Sequence, residues 1–447
     1  MAASDINRAI DAVWRIESAR LIAGLARRVG DVGTAEDLAQ DALLAALEQW
    51  PRTGIPDNPG AWLMTAAKRR AIDLFRRNRM IDEKHQLIAH ELEPGDVGEQ
   101  LDAAIDDPTG DELLSLIFTA CHPVLSTESR AALTLRLLGG LTTDEIARAF
   151  LAPVPTIQQR IVRAKRALAD AKVPFEVPRG DELSSRLASV LEVIYLIFNE
   201  GYSATAGADW VRPALCEDAL RLGRILAALA PLEPEVHGLV ALMEIQASRL
   251  RARVGPDGEI ILLLDQDRAR WDWVLIGRGL KSLERAESSN GPAGWYQVQA
   301  AIAACHARAA TPDQTDWFRI AALYGDLAEL QPSPVVELNR AVAVGMAFGP
   351  AAGLELADAL VDEPALRGYH LLPSVRGDLL RKLGREEEAR AEFRRAAGLT
   401  ANARERELLL RRADLTRRQS HPSPPPTDTS PSDTPDESGR DRPTAAP

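Results

Sequence analysis

Cysteine is scarce: Cys121, Cys216 and Cys305 are the three in 447 residues, far apart and without CxxC or HxxxC spacing. Neither a disulfide framework nor a structural zinc is supported, and buried thiols are the simpler reading. Aromatics are 5% of the chain, and runs of β-branched residues hardly occur outside the stretch from Glu259 to Leu264, which argues against a strand-rich fold. No apolar run approaches the ~20 residues of a bilayer span. The opening "MAASDINRAIDAVWRIE" has neither a basic leader nor an apolar secretion core, so a cytoplasmic protein with no membrane partner is expected. Missing too are a Gly-rich phosphate loop, a nucleophile elbow and a His/Cys cluster. No enzyme, metal site or cofactor is therefore expected.

What is present is 46% hydrophobic and 26% charged residues, rich in Ala, Leu and Arg. That is enough apolar material for two or three cores, and it favours helices throughout, so the fold class is all-α. The net charge of −12 argues against a nucleic-acid partner until it is divided along the chain, because fields act locally within ~10 Å. Residues 1–80 carry 12 basic and 10 acidic groups, 81–112 carry 1 and 11, and 113–172 carry 8 and 4. Two mildly basic modules thus flank an acidic connector.

The first helical block, 1–80, closes in a cluster of Arg76, Arg77 and Arg79. Gly, Pro and acids then mix without periodicity over 81–112, which reads as a linker. A second block, 113–172, stops at "VPFEVPRGDE", where Pro174 and Pro178 end helices. Residues 181–415 read as successive amphipathic helices with Gly or Pro breaks. The tail, 416–447, should be disordered, since its last 29 residues hold eight prolines and nine serines or threonines. Parts of a tetratricopeptide pattern appear in the large block. Trp317, Ile320, Ala321 and Tyr324 fit a first helix, Gly377, Ala389, Phe393 and Ala396 fit one near-complete repeat, and Ala352, Leu356 and Ala359 repeat the second half. The spacing predicts stacked helix pairs.

In "LTTDEIARAFLAPVPTIQQRIVRAKRAL" Thr142 and Glu145 form a capping box, and Ile146, Ala147 and Phe150 give a buried face. Leu151 to Val154 would turn, and Pro155 suits the start of a second helix. Ile157, Ile161, Ala164 and Leu168 form its inner stripe, which leaves Gln158, Gln159, Val162, Arg163 and Lys165 or Arg166 outward, with Arg160 flanking. Such a face fits the major groove, glutamine to adenine and arginine to guanine. Any helical hairpin with a solvated basic face has the same pattern.

The N-terminal block discriminates. "TAEDLAQDALLAALEQW" puts Leu38, Ala42 and Leu44 or Ala45 inward and leaves Asp37, Gln40 and Asp41 as a polar ridge beside Leu43 and Leu47. "NPGAWLMTAAKRRAIDLFRRNR" follows, with Trp62 and Leu63 as anchors and a basic face of Arg69, Arg70, Arg76 and Arg77 broken by Asp73. An aromatic beside arginines suits unpaired bases and their phosphates, and simple core packing is the alternative for Trp62.

In this order, residues 5 to 172 resemble the extracytoplasmic-function group of bacterial RNA polymerase sigma factors. The resemblance implies that "EDLAQDALLAAL" docks on core polymerase, "AWLMTAAKRRAIDLFRR" melts and reads the minus-10 element, and the helix-turn-helix reads the minus-35 element. Asp37, Gln40 and Asp41 would then contact polymerase, Arg69 and Asp73 the minus-10 bases, and Gln158, Gln159 and Arg163 the minus-35 bases. Arg69 and Gln158 depart from common family residues, so promoter sequence is not inherited. The acidic connector would thread a basic polymerase channel, although a solvated spacer fits its composition equally well. A subgroup with a tetratricopeptide-like extension shares "LIFNEGYSA", "LLLDQDRARWD", "QAAIAACHA" and "SPVVELNRAVAVG". It implies an α-solenoid that binds a protein or peptide partner and regulates the sigma modules in cis. Asn199, Glu200, Tyr202, Asp265, Asp267, Arg268 and His306 are polar groups that either line a ligand site or act as caps and buried partners. The competing reading is a helix-turn-helix regulator with a solenoid sensor and no polymerase docking.

Overall fold

The computed structural model describes residues 3–86, 110–150, 152–203, 210–289 and 291–420. Among them the fold is all-α, with short 3-10 turns and one isolated antiparallel bridge between Val254 and Ile260. The first three helices are α1 (Ala3–Val29), α2 (Val32–Thr53) and α3 (Pro59–Gln86). After them come α4 (Gly110–Ala120), α5 (Thr127–Leu137), α6 (Thr143–Ala149) and α7 (Val154–Asp170). The large block opens with α8 (Asp181–Tyr202), α9 (Pro213–Leu229), α10 (Pro234–Ala247), α11 (Trp273–Glu287) and α12 (Trp295–Arg308). It closes with α13 (Trp317–Leu330), α14 (Pro334–Ala347), α15 (Pro350–Asp358), α16 (Leu371–Lys382), α17 (Glu386–Leu399) and α18 (Ala403–Ser420).

Local chemistry sets the starts of these helices. Side chains of Asp31, Ser126, Asp272 and Asp316 accept hydrogen bonds from the first free amides of α2, α5, α11 and α13. Proline opens α9, α10, α14 and α15, where its missing N–H costs no hydrogen bond. Both ends of the 81–112 segment are helical, since α3 continues to Gln86 and α4 begins at Gly110. The rest of that acidic stretch, 87–109, and the tail from 421 onward lie outside the described residues.

Consecutive helices of the C-terminal block pack on one another, from α8 against α9 to α17 against α18. Two glycines permit close approaches late in the stack. A Cβ on Gly377 would stand 2.8 Å from the Phe393 ring, which is fully buried between Ala389 and Ala396. On Gly353 it would stand 2.6 Å from the Ala341 carbonyl, so α14 and α15 cross almost backbone to backbone. The row on α15 is not the one the repeat pattern predicts. Gly353, Leu354 and Ala357 face inward while Ala359 is exposed, because the glycine contact with Gly345 fixes the rotation of the helix.

The core does not divide where the composition does. One continuous apolar cluster runs from Ile10 to Ala307 and includes Leu38, Trp50, Leu133, Ile161, Phe198 and Leu239. The two N-terminal blocks and α8 to α12 therefore share an interior. Smaller clusters under α12 to α14 and under α14 to α18 continue the stack.

Candidate polymerase and nucleic-acid interface

On α2 the buried row is Val32, Ala35, Glu36, Leu38, Ala39, Ala42, Ala46 and Trp50. Of the two inward alternatives, Leu44 points the other way and is 57% exposed, while Ala45 is half-buried. The helix turns about 100° per residue, so Leu44 shares a face with Asp37, Gln40 and Asp41 rather than with Ala42. Leu47 is also exposed, and Leu43, Gln40 and Asp41 are half-buried. The outer face of α2 thus mixes carboxylates with solvent-facing leucines.

On α3 the Trp62 indole meets the buried Trp50 edge to face at 5.3 Å, and Leu63 is buried beneath it. Trp62 is therefore partly a packing residue, half-buried rather than free. Asn58 caps the helix through a 3.0 Å bond from the Ala61 amide. Beyond this anchor Arg69, Arg70, Asp73 and Arg76 are all exposed. The Arg77 side chain lies outside the described residues.

The helix-turn-helix is held by reciprocal bonds. The Thr142 amide donates to Glu145 Oε2 at 2.8 Å, and the Glu145 amide donates to Thr142 Oγ1 at 3.2 Å. Leu151 lies outside the described residues, α7 begins at Val154, and Pro155 is its second residue. Ile157, Ile161, Ala164 and Leu168 are buried. Gln158, Gln159, Val162, Arg163 and Arg166 are exposed and Arg160 is half-buried.

Between Lys165 and Arg166 the structure makes a clear choice. Arg166 points to solvent, 3.5 Å from Asp170. Lys165 turns back onto α2, its Nζ 2.5 Å from Glu36 Oε2 and 3.4 Å from Asp37 Oδ1. Glu36, 3% exposed at its side chain, also accepts from Arg136 Nε at 2.6 Å and from Gln40. Burial alone would raise the Glu36 carboxyl, yet the charges and hydrogen bonds of Lys165 and Arg136 hold it below the usual carboxylate range. Sequence reasoning missed Glu36. Its only local signal is an acid set in the buried stripe of an amphipathic helix.

Arginines and a serine from α8 and α9 reach the carbonyl ends of the helices before them. Arg186 donates to the Phe118 carbonyl at 2.9 Å and Ser189 to that of Cys121 at 2.7 Å, at the end of α4. Arg221 donates to Leu138 and Gly139 at 3.0 and 3.1 Å, after α5. Arg212, just before α9, donates to Ala149 at the end of α6. Each satisfies an acceptor that a helix end leaves free, and the three arginines also set a cation at the negative end of a helix dipole. The remaining polar candidates are mostly structural. Glu200 pairs with Arg212, and Tyr202 stacks on Phe198 under Arg253. The Asn199 carbonyl accepts from the Ser203 amide. Asp267 caps a 3-10 turn, Arg268 donates to the carbonyls of His306 and Ala309, and His306 meets Trp317 edge to face. Asp265 lines a cleft of about 490 Å³ with Ile261, Arg381 and Arg412.

Two outward helices, one basic beside an aromatic anchor and one following a capped turn, thus stand on an all-helical protein whose C-terminal part is a stack of helix pairs. Residues 16–80 match the model of sigma-70 region 2 and residues 115–168 that of sigma-70 region 4. Residues 186–287 match a family of unknown function, DUF6596. An uncharacterized protein of Rhizobium meliloti is 44% identical over 384 residues, 85% of this chain and 89% of the relative. The probable ECF RNA polymerase sigma factor SigI of Mycobacterium tuberculosis is 28% identical over 168 residues, 38% of this chain and 57% of that protein. The ferric citrate uptake sigma factor FecI of Escherichia coli is 28% identical over 141 residues, 31% of this chain and 77% of that protein. The chain belongs to the extracytoplasmic-function family of sigma factors and carries a C-terminal helical extension. No helix among the described residues is long and apolar enough to cross a membrane.

Proposed function

We propose that the chain seats on core RNA polymerase through the ridge of Asp37, Gln40, Asp41, Leu43 and Leu47, joined by Leu44. On promoter DNA, Trp62, Arg69, Arg70, Asp73, Arg76 and Arg77 take the minus-10 element. Gln158, Gln159, Arg160, Val162, Arg163, Lys165 and Arg166 take the minus-35 element. The C-terminal helices act on both sigma regions in cis, and their cleft takes a peptide or protein partner. The observation that carries this reading is apolar surface held out to solvent between charges: Leu44 at 57%, Leu47 at 37% and Val162 at 63% exposure. Leu44 and Leu47 lie together on one face of α2 beside Asp37 and Asp41, an apolar strip that a docking partner would cover. The arginines of α3 and α7 supply the local positive field that a −12 chain needs to meet phosphates.

The test is association of the full-length protein with core polymerase, followed by sequencing of bound promoters and transcription in vitro. Asp37→Ala combined with Leu47→Ala should abolish association. Gln158→Ala should keep it and relax one promoter position by about 1–3 kcal/mol. Cis regulation predicts that Arg212→Ala with Arg221→Ala changes transcription level or promoter choice. A protein that never binds core enzyme nor directs a start site sinks the reading, and DNA regulation without polymerase contact would favour a simple helix-turn-helix regulator.

A further inference from the structure

We propose that Arg249 and Arg268, with His306 beside them, bind a phosphate group, carried by free phosphate or by a small phosphate monoester. Among the described residues five arginines are buried, Arg130, Arg186, Arg249, Arg253 and Arg268. The first two face glutamates, Arg130 with Glu192 at 3.1 Å and Arg186 with Glu182 at 2.9 Å. The other three lie within 249–268, and among the described residues none of them meets a carboxylate. Arg253 is compensated by other means. Its guanidinium stands 3.7 Å from the Tyr202 ring and 4.0 Å from that of Trp210, and it donates to the Tyr202 carbonyl at 3.1 Å. Arg249 has a more distant ring, Tyr202 at 5.9 Å, and its Nε is buried without a partner. Arg268 lies 4.6 Å from the Trp271 ring and gives Nη1 to the carbonyls of His306 and Ala309, which leaves its Nε and Nη2 buried and unpartnered. His306 Nδ1 is in the same state.

These groups are close enough to act on one another. Burial, then the Arg249 charge, hold Arg268 below the usual arginine value, and burial, then Arg249 and Arg268, push His306 down to about 4. All three are more than nine-tenths covered, with Arg249 8%, Arg268 7% and His306 8% exposed. Two covered cations with no counter-charge raise the free energy of the fold, and an anion between them removes that cost. A phosphate dianion answers both guanidiniums, whereas a single carboxylate leaves one unanswered. Nε and Nη2 of Arg268 form the side of the guanidinium that takes two oxygens of one anion, and His306 Nδ1 adds a donor in the tautomer that carries hydrogen there. The way in is short, because Arg251, Asp267, Ala269 and Arg270 around these side chains are exposed. The Asp267 carboxylate is held by the Ala269 amide at 2.9 Å and is not the missing counter-charge.

The test titrates the full chain, in phosphate-free buffer at constant ionic strength, with inorganic phosphate, glycerol 3-phosphate and succinate in separate calorimetric runs. Phosphate should saturate one site per chain and raise the melting temperature as it does so. Arg249→Met, which removes no carbonyl bond, should bind phosphate about tenfold more weakly or worse. Without phosphate the same variant should melt at or above the wild type, because an unpaired buried cation has gone. Arg268→Lys keeps the charge but loses the two-oxygen edge, and should weaken binding by a similar factor. Tighter binding of glycerol 3-phosphate than of free phosphate makes a monoester the ligand, and the reverse order makes it free phosphate. The site is overturned if wild type shows no saturable binding, if succinate binds more tightly than either phosphate, or if Arg249→Met binds like wild type. It is overturned equally if Arg249→Met melts well below wild type in phosphate-free buffer, since Arg249 then holds the fold without any anion.

Discussion

The N-terminal and C-terminal parts of the molecule spend their charges differently. From α1 to α9, ion pairs and arginine bonds join residues far apart in sequence: Arg136 to Glu36, Lys165 to Glu36, Arg15 to Glu145 and Arg221 to Leu138. In the last helices many pairs are local, three residues apart on one helix, as in Arg340 with Glu337 and Arg404 with Glu407. There, cohesion comes from neighbour packing, with Gly377 under Phe393 and Gly353 against Gly345. A stack held by adjacent layers has few long-range polar bonds to exchange with a partner. An assembly held by long-range polar bonds can trade those bonds for others.

Three measurements break or sharpen this contrast. Phe393→Ala should have the largest effect, about 3–5 kcal/mol of stability lost. Hydrogen exchange should rise first in α16 to α18, since that cluster is separate from the large one. Acid comes next. Burial, with the nearby cations Arg249 and Arg268, pushes His306 down to about 4. Its folded value lies below the unfolded one, so the unfolded chain takes up the proton first. Stability is then full above about pH 6.5 and falls as pH drops towards 4, by roughly 3 kcal/mol at most. In His306→Phe that part of the acid dependence should vanish from pH-resolved melts. Smallest is the paired comparison of Arg221→Ala and Glu337→Ala. The first strands two helix-end carbonyls and should cost about 1–3 kcal/mol. The second removes a local surface pair and should stay within ~0.5 kcal/mol. Equal costs would erase the distinction between the two parts.

Features fixed within a few residues were readable in advance. The all-helical class, the Thr142–Glu145 box, the inner stripe of α7 and the Gly377–Phe393 pair each follow from spacing along one or two helices. What could not be read is which cation meets which acid at long range. Glu36 and Lys165 are 129 positions apart, and the period of α2 says only that an acid sits in a buried row. The inward turn of Lys165 follows from that carboxylate, not from α7. Of Leu44 and Ala45, the two inward alternatives, Leu44 is exposed and Ala45 half-buried, because the buried stripe is filled by Ala35, Ala39, Ala42 and Ala46 instead. The arginine bonds to helix-end carbonyls leave no pattern at all, since any exposed arginine looks alike on the page.

Those carbonyl bonds change what excision of the extension would mean. The carbonyls of Phe118, Cys121, Leu138, Gly139 and Ala149 find donors on α8, on α9 or at Arg212 just before it. Val190, Leu191 and Ile194 of α8 belong to the same apolar cluster as Leu133 and Ile161. Cutting after α7 would unroof the helix-turn-helix module, so the sigma portion of this chain is not a detachable cartridge but one wall of a shared interior.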